Sequence, residues 1–212
     1  MTENRVKQRD AERTRAELLA EATSAFAETG YSGTSVDEIA KRSSTTKRMI
    51  YYYFGSKEQL YLAVLEEAYR GIRVAEQKLQ VDGLAPVEAV RKLAEITYDH
   101  HREHADFIRL VAIENIHRGR FIRQLDSLRE LGTPALTLLD GLLERGREAQ
   151  VFRADVDALD VHLLISSYCV FLLANQYTFG YLFDVQLQDP SRQDHQRGLI
   201  GDVIVAWLTR EE

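Results

Sequence analysis

Thr34-Ser35-Val36-Asp37-Glu38-Ile39-Ala40-Lys41-Arg42-Ser43-Ser44-Thr45-Thr46-Lys47-Arg48-Met49-Ile50-Tyr51-Tyr52-Tyr53-Phe54-Gly55-Ser56-Lys57 is the stretch whose reading decides the fold. Ser35 and Glu38 form a capping box: the hydroxyl can accept from the Glu38 amide while the Glu38 carboxylate reaches back. The box opens a short helix that runs to Arg42. After a Ser43-Ser44-Thr45 turn, a third helix spans about Thr46 to Tyr53. Ser56 to Gln59 is a second capping box, which opens a long helix to roughly Gln80. A capped helix, a tight turn, a short helix and another capped helix make a helix-turn-helix, whose second helix fits the major groove. Ile50, Tyr53 and Phe54 share the inward side of that helix. Thr46, Lys47, Met49, Tyr51 and Tyr52 are left for its other faces. Hydroxyls and cations at its leading end suit base edges and phosphates, and Ser56 with Lys57 offers a helix N-terminus beside an ammonium.

Outward from this segment, apolar residues recur at helical spacing and no long run alternates with period two, so the whole chain reads as all-α. The stripe Leu18, Leu19, Ala22 and Phe26 predicts a first helix over 12–28, with Gly30 at its left-handed end. Beyond Gly83 and Pro86, helices are predicted at about 86–103, 105–117, 120–130, 134–150, 156–184 and 191–210. Pro134 and Pro190 stand where first-turn prolines are tolerated. The 212 residues are 45% hydrophobic and 28% charged, with three prolines, which excludes a disordered or collagen-like chain. Cys169 is the one cysteine, so no intramolecular disulfide or Cys zinc cluster supports the fold. It reads as a small buried hydrophobe. The polar start of the chain does not resemble a signal peptide, and a cytoplasmic location is expected. Val161 to Phe183 holds 23 residues without a charge, but His162, Asn175 and Gln176 interrupt it and no basic flanks anchor it. A buried core helix is expected there, not a membrane span.

Charge divides the chain near Lys57. Residues 1–57 carry ten Lys and Arg against eight Asp and Glu, a net of +2, which leaves −8 on the remainder of a chain whose total is −6. A basic first quarter on an acidic remainder suits one segment that meets an anion.

Leu18 to Leu65 resembles the DNA-binding domain of the TetR family of bacterial regulators. The resemblance rests on Phe26-Ala27-Glu28-Thr29-Gly30-Tyr31, Thr34 to Ala40, Ile50-Tyr51-Tyr52-Tyr53-Phe54 and Ser56-Lys57-Glu58-Gln59-Leu60. It implies a helix-turn-helix domain over 1–57 and a helical effector-binding and dimerisation domain over 58–212. It also implies a double-stranded DNA operator, near-palindromic, as partner. The family's phosphate-contacting tyrosine pair falls on Tyr51 and Tyr52, and its lysine on Lys57. With these, Thr34, Ser35, Thr45, Thr46, Lys47, Arg48 and Met49 complete the candidate DNA-binding set. The basic run from Arg5 and Lys7 to Arg15 reads either as a solvated tail or, by the resemblance, as a phosphate or minor-groove contact. Two departures matter: Ser44 stands where the family carries a turn glycine, and Arg48 where it carries a small residue. The last two long helices, about 156–184 and 191–210, would pair with their symmetry mates in a homodimer. Phe107 to His117 resembles, more loosely, the pyrimidine-utilisation branch of the family.

The resemblance also implies a small-molecule effector, with repressor as the first reading and activator as the alternative. Tyr98, His101, His104, Glu114, Tyr168, Leu172, Asn175 and Phe179 are the candidate pocket residues, and their aromatic content suggests a small planar ligand. Each also has a plainer reading: the histidines and Asn175 as satisfied core groups, Glu114 as a surface pair with Arg118. His100 and His104 share a helix face, which invites a metal and, remotely, a small helical metal-dependent enzyme. The missing further ligands argue against this, and no cofactor or metal is expected.

Overall fold

The structure, a computed structural model, describes residues 2–77, 81 and 83–209; the side chains of 2–8, 75–77 and 129–134 lie outside that description. The described residues form α-helices joined by turns and short 3₁₀ segments, with no strand among them. Arg5 and Lys7 of the basic run have side chains outside the described residues, as do residues 78–80 at the expected end of the long helix and residue 210.

The helices are α1 (Thr2–Gly33), α2 (Val36–Arg42), α3 (Lys47–Phe54), α4 (Lys57–Gln77), α5 (Pro86–Glu103), α6 (Ala105–Ile116), α7 (Asp126–Glu148), α8 (Ala158–Ala174), α9 (Gln176–Phe183) and α10 (Gln193–Leu208). Helix α1 begins earlier than the apolar stripe indicates and continues past a kink at Gly30, whose φ of 72° no helix adopts. Two helices expected at 120–130 and 134–150 are one: a 3₁₀ turn at Ile122–Gln124 precedes α7, which runs through Pro134. The single helix expected over 156–184 is broken. Asn175 caps α8, and α9 leaves it at 72°. Among the described residues no single helix is long and apolar enough to cross a membrane.

Two compact units result: Met1–Ala68 with Arg109–Asp126, and Tyr69–Ile108 with Ser127–Glu212. The expected boundary at 57/58 differs from this division, because Leu60, Tyr61, Val64 and Leu65 of α4, and Leu110 and Phe121 beyond it, bury in the first unit's core. In that unit, Ser35 caps α2 by accepting from the Glu38 amide at 3.1 Å. The Glu38 carboxylate does not close the box; it accepts from Arg42, whose guanidinium also grips Glu28 of α1. Asp37 and Glu38 open α2 and Lys41 and Arg42 close it, each sign matching the helix dipole. The turn after α2 is a Schellman motif, with Thr45 N–H donating to the Ala40 carbonyl at 3.0 Å and Ser44 N–H to Lys41 at 3.3 Å. Ser44 takes the left-handed position at φ 50°, the strain its sequence implied.

The second unit packs α5 against α8 and α10. Val90, Leu93, Ala94, Leu139, Leu142, Val161, Ile165, Cys169, Ile200 and Ile204 fill its core. Gly146 has no alternative there: a Cβ would lie 1.8 Å from the Phe152 ring. Tyr98 donates to the Gln196 side chain at 2.9 Å and Tyr168 to the Gln196 carbonyl at 3.2 Å, so both hydroxyls are used inside the fold. Burial pushes the Cys169 thiol up to about 12, which leaves it an inert apolar group. His100 and His101 are buried on α5. Desolvation, followed for His100 by the neighbouring imidazoles and for His101 by His162 and Arg73, pushes both down to about 4.

Two predictions follow from this packing. Ser44→Gly relieves the left-handed strain and should raise unfolding free energy by about 1 kcal/mol in urea denaturation; a loss of stability would show that the serine side chain supports the turn. For the histidines, the unfolded chain binds protons below its ordinary value of 6.5, while the folded chain refuses them down to about 4. Their contribution to stability is therefore intact above pH 6.5 and is lost progressively as pH falls toward 4, by on the order of a few kcal/mol. The urea midpoint of a His100→Gln/His101→Gln variant should depend much less on pH across that window. An unchanged slope would contradict the burial of neutral imidazoles.

Candidate nucleic-acid interface

Helix α3 has only eight residues, too few to be stable alone. Ile50 and Phe54 seat it in the first unit's core, and Thr46 caps it by accepting from the Met49 amide at 3.4 Å. With that side fixed, the remaining faces point to solvent. Tyr52 is 76% exposed and Tyr51 46%. Lys47 and Arg48 are exposed as well, and Arg48 has no ion pair among the described residues. Met49 is half-buried beside them.

Lys57 opens α4 just after Ser56, whose hydroxyl accepts from the Gln59 amide at 3.1 Å, as the second capping box required. Its ammonium lies 4.5 Å from the centre of the Tyr31 ring, a cation-π contact that aims a flexible side chain. Partial desolvation lowers its pKa. A helix N-terminus with a fixed cation beside it is suited to phosphate.

Nine of the ten candidate residues thus lie on or beside α2, α3 and the start of α4, with side chains at least partly open to solvent. Thr34 does not belong to that face. It is 2% exposed, and its hydroxyl is taken up by the Ala25 and Gly30 carbonyls and by Thr29, so it locks the end of α1. Ser35 and Thr46 are exposed but already serve as caps. Lys47 is ion-paired with Asp37, and that hydrogen bond raises its pKa. Sequence reasoning missed Asp37 as a member of this surface. It could be recognised as a first-turn acid of α2, but its pairing with α3 depends on how the two helices cross.

Of the candidate effector residues, Tyr98, Leu172, Tyr168 and Phe179 pack in or against one core cluster of the second unit, and Glu114 does not join them. Glu114 lies in the first unit, 2% exposed, and accepts from the Tyr61 hydroxyl at 3.1 Å and from the Phe121 and Ile122 amides at 3.1 and 3.0 Å. It is neither a surface partner of Arg118 nor a pocket wall, because its carboxylate is consumed by these donors. In the second unit, Tyr98 and Tyr168 converge on Gln196. Leu172 is buried in the core, Phe179 meets Phe171 edge-on and Phe183 at a tilt, and Asn175 ends α8. His101 and His104 turn their Nδ1 atoms to the Thr97 and His100 carbonyls at 2.7 and 2.9 Å. The His100 and His104 rings stack 4.1 Å apart. Nitrogens directed at the helix's own backbone do not converge on an ion, and among the described residues no group of three or more His, Cys, Asp or Glu is placed to hold a metal.

Comparisons with known proteins agree with this architecture. Residues 18–64 match the family model described as bacterial regulatory proteins, tetR family, and residues 86–204 match the tetracyclin repressor-like C-terminal domain. The chain is 34% identical over 205 residues to the transcriptional repressor NicS of Pseudomonas putida, covering 97% of each chain. It is 31% identical over 97 residues to the regulator RutR of Escherichia coli, covering 46% of this chain and 45% of that one. The crystal structure of the transcriptional regulator SCO4942 from Streptomyces coelicolor superposes with a TM-score of 0.69 at 26% identity, covering 93% of this chain and 99% of that one. With a helix-turn-helix that presents α3 to solvent and matches along nearly its whole length, the chain belongs to the TetR family of transcriptional regulators.

Proposed function

We propose that this protein is a homodimeric repressor that binds a near-palindromic operator through paired α3 helices and leaves it when a small molecule binds the second unit. The observation that carries the DNA-binding half is the split surface of α3. Two buried residues hold it while Lys47, Arg48, Tyr51 and Tyr52 stay open beside the Lys57 phosphate site. Similarity along nearly the full length, at 34% identity, to a protein named a repressor supports repression over activation.

Dimerisation is supported by the outer face of α8 and α10. Leu159, Leu163, Leu164, Phe171, Leu199 and Val203 are all exposed on these two helices, and Leu164, Phe171, Leu199 and Val203 line one shallow groove, the kind of exposed apolar surface that marks an interaction site. A two-fold helix-turn-helix dimer reads half-sites one helical turn, or a multiple of that, apart on the DNA. The effector site falls to the second unit, among Tyr98, His101, His104, Tyr168, Leu172, Asn175 and Phe179. Helix α4 has residues in both units, Lys57–Ala68 in the first and Tyr69–Gln77 in the second. It is the element through which effector binding would shift the population away from the DNA-binding state. Complete switching requires roughly 5.5 kcal/mol of differential affinity between the two states.

Titration against a duplex selected from a random library, and against random DNA, at several salt concentrations tests this reading. Lys57→Ala should weaken both DNAs alike and reduce the salt slope by about one. Arg48→Ala should change which sequence is preferred. Equal losses on both DNAs from both variants would contradict the division between phosphate and base contacts. A wild type with no preference for any selected duplex would contradict the function itself.

A further inference from the structure

Three helices of the second unit contribute basic side chains to one cluster. On α5 the His100 ring stacks on His104 at 4.1 Å and meets His101 edge-on at 6.1 Å. His100 and His101 are 6% and 5% exposed. The Nε2 atom of His100 has no hydrogen-bond partner among the described residues, which is uncommon for a buried polar atom. Gly71 of α4 leaves that edge of the ring bare, since a Cβ there would stand 3.6 Å from His100 Cε1 and 3.9 Å from Nε2. A carbonyl only accepts, so the 2.7 Å bond between His101 Nδ1 and the Thr97 carbonyl puts the proton on Nδ1 and leaves Nε2 of the neutral ring an acceptor. One turn away, Thr97 and His162 of α8 border a cavity of about 10 Å³ whose apolar walls include Leu93, Leu139 and Ile165. Arg73 of α4 acts on His100, His101 and His162, and every charge that shifts these three imidazoles is a cation.

We propose that this cluster receives the effector and that the effector is a small organic acid, with its apolar body in the cavity beside Thr97 and its carboxylate held by Arg73 and His101. The proposal rests on the effector reading of the second unit given above. A carboxylate does not bond a bare Nε2, because both only accept. It therefore brings one proton from solvent onto Nε2, which then donates to the carboxylate while Nδ1–H keeps the Thr97 carbonyl. Charges attract strongly in such buried surroundings, which offsets the cost of protonating the ring. An acid larger than the cavity has to part α5 from α7 and α8 to enter, so it binds the widened packing better, the differential affinity that a population shift requires.

The test is isothermal titration calorimetry of the full chain with benzoate, 4-hydroxybenzoate and phenylacetate, each beside its amide, in two buffers of different ionisation enthalpy near neutral pH. An amide satisfies the same atoms but gains nothing from the cations. At least one acid should bind at millimolar concentration or below, about tenfold or more tightly than its amide, with uptake of about one proton. Arg73→Gln should weaken that acid about tenfold and its amide little. In His101→Gln, whose side-chain amide donates without being protonated, proton uptake should fall to near zero. Binding of none of the acids, equal binding of acid and amide, no proton uptake by the wild type, or uptake unchanged in His101→Gln would each overturn the inference. Should His101→Gln not fold, Arg73→Gln still decides, since equal losses for acid and amide would also overturn it. An acid that binds as predicted and leaves the selected duplex bound would instead contradict effector control of DNA binding, with the acid site itself upheld.

Discussion

The DNA-binding unit depends on a carboxylate that its sequence does not advertise. Glu114 is buried among apolar side chains, where an unpaired charge would be prohibitive, and it is tolerated because the Tyr61 hydroxyl and the amides of Phe121 and Ile122 all donate to it. These bonds fix Tyr61 at the centre of an aromatic cluster, 4.9 Å from Phe26, 5.3 Å from Tyr31 and 5.0 Å from Phe121. Tyr31 in turn carries the Lys57 ammonium on its face. The position of the Lys57 ammonium is thus linked, through Tyr61 and Tyr31, to a glutamate more than fifty residues further along the chain.

The same economy governs α3. A helix this short has no independent stability, so its orientation is whatever Ile50 and Phe54 impose from inside. Because those two positions suffice, the others are free to be chosen for what they touch outside. Tight turns on either side keep the helix in place. One of them accepts Ser44 in a left-handed conformation, and the other uses Gly55 at φ 77°. In the second unit the corresponding constraint is polar satisfaction. Tyr98 and Tyr168, which look like pocket walls in a sequence, spend their hydroxyls on Gln196, and the imidazoles of His101 and His104 spend Nδ1 on backbone carbonyls.

Local signals made the helix-turn-helix legible from sequence. The caps at Ser35 and Ser56 are encoded within a few residues of the groups they satisfy, and the period of the apolar stripe identifies Ile50 and Phe54 as the buried side; Thr46, read as the first residue of its helix, is the residue that caps it. What escaped was non-local or ambiguous. Asn175 breaks an uncharged run that hydropathy alone reads as one helix, and Pro134, which looks like a first-turn residue, lies inside α7. Thr34 sits next to a capping box and looks like part of the binding face, but its hydroxyl faces back toward α1. Glu114 and Asp37 find their partners at separations of fifty-three and ten residues, and no periodicity reports such pairings.

The central claim is that α3 reads the major groove as one of a two-fold pair. Dimethyl sulfate protection of guanine N7 on a library-selected duplex tests it most directly, since that atom is exposed only in the major groove. The account predicts protection in two symmetric half-sites whose centres lie about 10 base pairs, or a multiple of that, apart, and loss of both when Tyr52 and Lys57 are replaced by alanine. Protection of a single site, or binding that leaves every guanine N7 reactive, would contradict it.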